Sequence, residues 1–164
     1  MENPVTYTLR TFREEDLGEV MRINQLCLPE NYSTYFFLDL SERFSKGFIV
    51  AEAEGKIIGY IMCRVEHGAS DFKRFSFTKK GHIVSIAVLA EYRRMGIGKA
   101  LIVEALKNMV DNDAKECFLE VRVSNAPAVS LYKRLGFMEV KRVRGYYYDG
   151  EDAYVMSVKL PLET

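Results

Sequence analysis

The sequence predicts an α+β fold with one parallel crossover embedded in it, and three observations carry that prediction. The spacing of apolar residues switches between period two and period 3.6, giving in order a strand, two helices, three strands, a helix, a strand, a helix and two strands. The run GHIVSIAVL at 81–89 is the most continuous apolar β segment, as expected of a central strand buried on both faces. A glycine turn, an amphipathic helix and another strand follow it directly, which makes a βαβ unit with parallel strands.

Val5, Tyr7 and Leu9 alternate with Thr6, Thr8 and Arg10 as a half-buried first strand. From Glu14 to Cys27 the period changes: Leu17, Val20, Met21, Asn24 and Cys27 share one helical face, and Glu14, Glu15 and Asp16 suit the positive end of that helix. Pro29 ends it, and a second helix over about 34–44 carries Phe37, Leu40, Ser41 and Phe44 in one stripe. Runs at 48–53 and 56–65 form a hairpin through Glu54-Gly55, whose glycine accepts a positive φ. The polar stretch 66–80, including His67 and Asp71, reads as a solvated surface excursion. After the central strand, 96–110 is helical through Ile97, Leu101, Ile102, Ala105, Leu106 and Met109, and 116–123 returns to strand. Ser124 or Asn125 caps the fourth helix, Pro127 sits in its first turn and Gly136 stops it. Strands at 137–143 and 153–159 close the sheet.

A length of 164 residues with 48% hydrophobic side chains suits one domain over 1–164, large enough to hold a core without disulfides or a structural metal. Lys plus Arg total 23 and Asp plus Glu total 23, so no overall positive field marks a nucleic-acid or anionic-lipid binder. Cys27, Cys63 and Cys117 are odd in number and far apart, as expected of reduced thiols, and no Cys/His cluster offers a metal site. Residues 1–10 lack an apolar signal core and no stretch approaches 18 apolar residues, so a cytoplasmic protein without a membrane partner is expected.

The segment Arg93-Arg94-Met95-Gly96-Ile97-Gly98-Lys99 stands between the central strand and the third helix. Glycines at this spacing let main-chain N–H groups approach an anion, the helix N-terminus adds positive partial charge, and Arg93, Arg94 and Lys99 add cations. Those are the parts of a diphosphate cradle; a solvated surface turn is the other reading that the spacing allows. It is neither a dinucleotide fingerprint, since position 101 is Leu101, nor a P-loop, since Gly98-Lys99 is followed by Ala100.

Arg-x-x-Gly-x-Gly at 93–98 after GHIVSIAV resembles the acetyl-CoA pyrophosphate loop of the GNAT superfamily of N-acetyltransferases, and LEVRVSNAPAVSLYKRLGF at 119–137 resembles its second cofactor segment. CLPENY at 27–32 and GYYYDGEDAY at 145–154 are similar to the NatA-type catalytic subunit and its free-standing archaeal relatives, although Tyr148 stands where that group more often carries a small residue. The resemblance runs from the first strand to about Leu160. It implies a mixed, mostly antiparallel seven-stranded sheet with about four helices, a three-layer arrangement, and a splayed central parallel strand pair. It also implies acetyl-CoA as cosubstrate without a metal, and acetyl transfer to protein or peptide N-termini with no covalent enzyme intermediate.

By the same resemblance the general base is drawn from Glu120, His82, which joins a water relay, and Glu30, which lies near the amine and acts through water, while Tyr132 is the acid for the leaving thiolate. Alternation independently puts Glu120 on the strand face opposite Leu119 and Val121. Main-chain groups of Ile86, Ala87 and Val88 would meet the pantetheine arm, Gly96, Ile97, Gly98 and Lys99 with Arg93 and Arg94 the diphosphate, and Asn125 the cofactor as well as its own helix cap. Glu30, Tyr32 and Tyr147 would grip the first residues of a peptide. The resemblance leaves room for transient contact with a ribosome or an auxiliary subunit. Deprotonating an α-amine at pH 7 costs about 1.4 kcal/mol and a lysine about 4.6 kcal/mol, which suits a modest base to the former. Transfer to a lysine or a small amine, and a non-catalytic acyl-CoA-binding module, are the rival readings.

Overall fold

The computed structural model describes residues 4–163 and contains seven strands and four α-helices in the expected order. They are β1 (Thr8–Thr11), α1 (Leu17–Cys27), α2 (Thr34–Arg43), β2 (Phe48–Ala53), β3 (Lys56–Ala69), β4 (Phe77–Val88), α3 (Ile97–Asp111), β5 (Glu116–Arg122), α4 (Ala126–Arg134), β6 (Met138–Val143) and β7 (Ala153–Lys159). The hydrogen-bonded order is β1-β2-β3-β4-β5-β7-β6. β1 with β2, β2 with β3, β5 with β7 and β6 with β7 pair antiparallel, whereas β4 and β5 are parallel, so the sheet is mixed and mostly antiparallel. The parallel register covers only Lys80, Gly81 and His82 against Glu116, Cys117 and Phe118. β4 then runs on to Val88, splayed from that ladder, with main-chain groups left for other partners.

Three boundaries depart from the sequence reading. β1 starts at Thr8, not Val5, because its ladder is set by Thr8 opposite Glu52 through Thr11 opposite Ile49. Residues 14–16 form a 3-10 turn ahead of α1. The polar stretch 66–80 is mostly strand, with only residues 70–76 as the connection. Its charges are tolerated there because they are paired: the buried Glu116 carboxylate accepts from Ser70 Oγ and from Asp71 N at 2.9 Å, and the buried Lys80 Nζ donates to Ala69 O at 2.9 Å and Asp71 Oδ2 at 3.0 Å. Asp71 is therefore exposed yet tied down, while His67 is exposed on β3.

The chain forms two compact units. The first comprises the residues up to Arg64 with Ser85–Asn108. Its core includes Val20 and Ile23 of α1, Phe37 and Leu40 of α2, Phe48–Ala51 of β2 and Ile58–Cys63 of β3, with Phe12 stacked on Phe48 at 4.0 Å. Glu54 and Gly55, both at positive φ, make the tight turn between β2 and β3. The second comprises Val65–Val84 with the residues from Met109 onward. Its core includes Met109, Cys117, Leu119, Val121, Phe137, Ala153 and Met156. Gly81 leaves room there for the Met109 side chain, since a Cβ on it would stand 2.2 Å from Met109 Sδ. Among the described residues no helix is long and apolar enough to cross a membrane.

Arg10 ties the first unit's edge together by donating to both carboxylate oxygens of the buried Asp16 at 2.7 and 2.8 Å and to Glu52 at 2.6 Å. The hydrogen bonds from Arg10 hold the Asp16 carboxyl below its usual range. A depressed carboxyl contributes stability that is complete above its unfolded value near 4 and disappears as pH falls through the lower folded value. Asp16→Asn is expected to lose about 2 kcal/mol at pH 7. Urea unfolding at pH 7 and below pH 3 should then show a smaller acid-induced loss in the variant than in the wild type.

Candidate active site

The parallel register sets the site's first pair. In a parallel ladder opposed residues point to the same face, so Lys80 and His82 of β4 share a face with Glu116, Phe118, Glu120 and Arg122 of β5. The opposite face carries the buried Cys117, Leu119 and Val121, as alternation requires. His82 stacks on Phe118 with ring centroids 4.3 Å apart and planes 9° from parallel, and its Nε2 lies 2.7 Å from Glu120 Oε2. Lys80 Nζ sits 4.7 Å above the same Phe118 ring. An ionised carboxylate only accepts, so Nε2 is the donor of this bond. Nδ1 is buried and has no hydrogen-bond partner among the described residues. The pair therefore sets a carboxylate against a buried imidazole that orients it.

Tyr132 lies in α4 and is buried, with its ring 5.9 Å from Phe137. Burial pushes its phenol up to about 12, so it keeps its proton at neutral pH. Burial also pushes the Cys117 thiol well above its usual range, which makes it inert as a nucleophile. Asn125 caps α4 by accepting from Ala128 N at 3.3 Å, the structural half of its expected double role.

Tyr147 stands on the β6–β7 connection, which Arg122 anchors. The Arg122 guanidinium lies 4.1 Å over the Tyr147 ring and donates to Asp149 Oδ2 at 2.9 Å and Glu151 Oε1 at 3.0 Å. Glu151 Oε2 accepts from Ser124 N at 2.9 Å, tying the connection to the start of α4. Ser124 foremost, and then Arg122, hold the Glu151 carboxyl below its usual range. Tyr146 and Tyr148 on the same connection are exposed.

The glycine turn leads into α3 with Arg93, Arg94 and Lys99 exposed. Gly96 has φ +80° and a Cβ there would meet nothing within 4 Å, so its main chain is open to close approach. Gly98, by contrast, is already inside α3, and the second left-handed residue is Arg94 at φ +63°. Arg93 folds back, its Nε donating to Val88 O at 3.0 Å, and the Cys27 thiol approaches the same oxygen at 3.7 Å. Of the main-chain groups expected from Ile86, Ala87 and Val88, the Val88 carbonyl is thus engaged within the protein. Glu30 and Tyr32 lie half-buried between α1 and α2, with Tyr32 stacked on Phe36 at 4.8 Å.

The sequence model of the acetyltransferase (GNAT) family matches residues 17–137. The chain belongs to the acetyltransferase (GNAT) family. It is 51% identical over 156 residues to the N-alpha-acetyltransferase of Sulfurisphaera tokodaii, covering 94% of this chain and 93% of the relative. Among solved structures it resembles Ard1 from Thermoplasma volcanium with a TM-score of 0.83 and 32% identity, covering 97% of this chain and 100% of that one. It also resembles a chain of the NatC complex bound to Gag peptide and CoA, with a TM-score of 0.84, 25% identity and coverage of 94% and 98%.

Sequence reasoning overlooked several side chains that hold these segments in place. Arg122 stood inside the LEVR motif without a role, although alternation already placed it on the Glu120 face. Asn24 was visible as a polar residue on an apolar helix face, while nothing local marked Tyr60 and Ser85 as its neighbours. Arg122→Ala is expected to release the β6–β7 connection, seen as amide hydrogen exchange about tenfold faster at Tyr147 and Gly150 with β5 and β7 still protected.

Proposed function

We propose that this chain is an N-terminal acetyltransferase that moves the acetyl group of acetyl-CoA directly to the free α-amino group of proteins and peptides. The observation that carries the reading is the His82–Glu120 pair, a carboxylate hydrogen-bonded to a buried imidazole at the last paired position of the β4–β5 ladder. The name of the S. tokodaii relative and the peptide and CoA bound by the NatC complex support it. Acetyl-CoA suits the residues present: the open main chain at Gly96 and the first turn of α3 through Ile97, Gly98 and Lys99 would take the diphosphate, with Arg94 and the rest of the Arg93 guanidinium as countercharge. Ile86, Ala87 and the Val88 N–H would hold the pantetheine arm, and Asn125 would add a polar contact.

Glu30, Tyr32 and Tyr147 hold the first residues of the acceptor. The amine arrives as an ammonium and gives up two protons as its nitrogen bonds to the thioester carbonyl carbon and the carbon–sulfur bond breaks. One proton passes to Glu120, directly or through water, and on to solvent, with His82 keeping the carboxylate oriented. The other replaces the proton that Tyr132 delivers to the departing sulfur. A base of ordinary strength is enough for an α-amine, whose neutralisation at pH 7 costs about 1.4 kcal/mol. The family match spans residues of both compact units, which supports one catalytic domain over 1–164. A cytoplasmic setting, with transient contact to a ribosome or an auxiliary subunit, completes the reading.

Two acceptors separate the alternatives: a peptide with a free N-terminus and blocked lysines, and one with a blocked N-terminus and a free lysine, read by mass shift with acetyl-CoA. Only the first should gain an acetyl group. Acetylation of only the second would overturn the proposal, and silence on both despite CoA binding would point to a small amine or a binding module. With the first peptide, Glu120→Gln and Tyr132→Phe should each lower kcat about 100-fold or more, with little change in the KM for acetyl-CoA. Unchanged turnover in the double variant would remove both residues from the mechanism.

A further inference from the structure

Asn24 is a carboxamide on the buried face of α1, 1% exposed beside Val20 and Ile23. An amide taken out of water without partners costs about 1–3 kcal/mol, so its bonds decide whether it can stay there. Both hydrogens of its single Nδ2 are used: one goes to the main-chain carbonyl of Glu30 at 3.0 Å, the other to the Tyr60 hydroxyl at 3.1 Å. Tyr60 on β3 is fully buried, and its hydroxyl lies 2.7 Å from Ser85 Oγ on β4. Burial pushes the Tyr60 phenol up to about 12, so the chain of bonds keeps its protons across the working range.

This chain of bonds joins two segments that the reaction needs in register. Residues 28–33 between α1 and α2 have no regular structure. Their ends are held locally, by Leu28 N on Asn24 O at 3.0 Å and by the Ser33 side chain capping Phe36 N at 3.2 Å. In the middle of the segment, Asn24 holds Glu30. At its other end the chain reaches Ser85, which immediately precedes Ile86, Ala87 and Val88. All of these residues lie in the first compact unit.

We propose that Asn24 is a positioning residue that fixes the acceptor loop, through the Glu30 carbonyl, against Tyr60 and Ser85, and so governs capture of the peptide without governing use of acetyl-CoA. The inference rests on the reading of Glu30 and Tyr32 as acceptor contacts. A loop that drifts by about 1 Å relative to the acyl-bearing strand loses on the order of 100-fold in productive encounters, which gives the tie its value.

The test compares wild type, Asn24→Leu and Tyr60→Phe. Leucine keeps size and burial but cannot donate, while phenylalanine leaves the Asn24 bond to Glu30 and removes what orients the amide. Asn24→Leu should speed amide exchange at Leu28 and Phe36, the hydrogen-bonded amides at the ends of the loop, about tenfold and raise the KM for a free-N-terminus peptide about tenfold. Its KM for acetyl-CoA should stay within about twofold, and Tyr60→Phe should show the same pattern more weakly. Unchanged exchange, or two KM values that move together, would overturn the inference. Should Asn24→Leu not fold, the split between the two KM values in Tyr60→Phe decides in its place. A peptide KM raised by Tyr32→Phe but untouched by Asn24→Leu would sink the positioning role alone. A peptide KM untouched by either would sink the acceptor-loop reading and the inference with it.

Discussion

The parallel register between β4 and β5 lasts three residue pairs, and much of the proposed chemistry depends on its being both present and short. A parallel pair needs a crossover, which α3 supplies, and the glycine at position 81 makes room for Met109 of α3 against β4. Opposed side chains in such a ladder share a face, which puts His82 flat on Phe118 and, one alternation further along β5, places Glu120 within hydrogen-bond reach of the imidazole. Because the ladder stops there, β4 continues to Val88 with its main-chain groups on the β5 side released from that pairing. One more pair of rungs would satisfy those groups within the sheet.

The proposed catalytic pair stands on strands, but the residues proposed for the acceptor stand on connections, and connections hold their shape only where something ties them. Two ties of the same logic serve here. Arg122, fixed on β5, spans Asp149 and Glu151 and covers Tyr147 with its guanidinium plane. Asn24, fixed on α1, divides its two amide hydrogens between the Glu30 carbonyl and Tyr60. In each case a polar group on a regular element bonds the backbone or ring of a loop, and charged or buried hydrogen bonds of this sort are worth more than surface ones.

Much of the framework was legible because it rests on local rules. The alternation through 116–122, the period of α3, the Glu54-Gly55 turn and the Asn125 cap each depend on neighbours within a few residues, and each stands where the sequence places it. The stretch 66–80 misled because its charges follow the composition of a loop, while its partners lie far along the chain: Ser70 and Asp71 find Glu116, more than forty residues later. Gly98 lies in the first turn of α3, so of the glycine pair Gly96 takes a positive φ, and Arg94 is the other left-handed residue of the turn.

Sequence by itself determined the family, the order of elements, the glycine turn and the residue types at Glu120, His82 and Tyr132, because those are properties of segments. Tertiary structure alone decided that His82 and Glu120 form one hydrogen-bonded pair, that the Val88 carbonyl is taken by Arg93, and that Asn24 reaches Tyr60, 36 positions away. The physical reason is range. Propensity and periodicity act over a few residues, whereas a hydrogen bond needs two atoms within about 3 Å, a distance that only the completed packing sets.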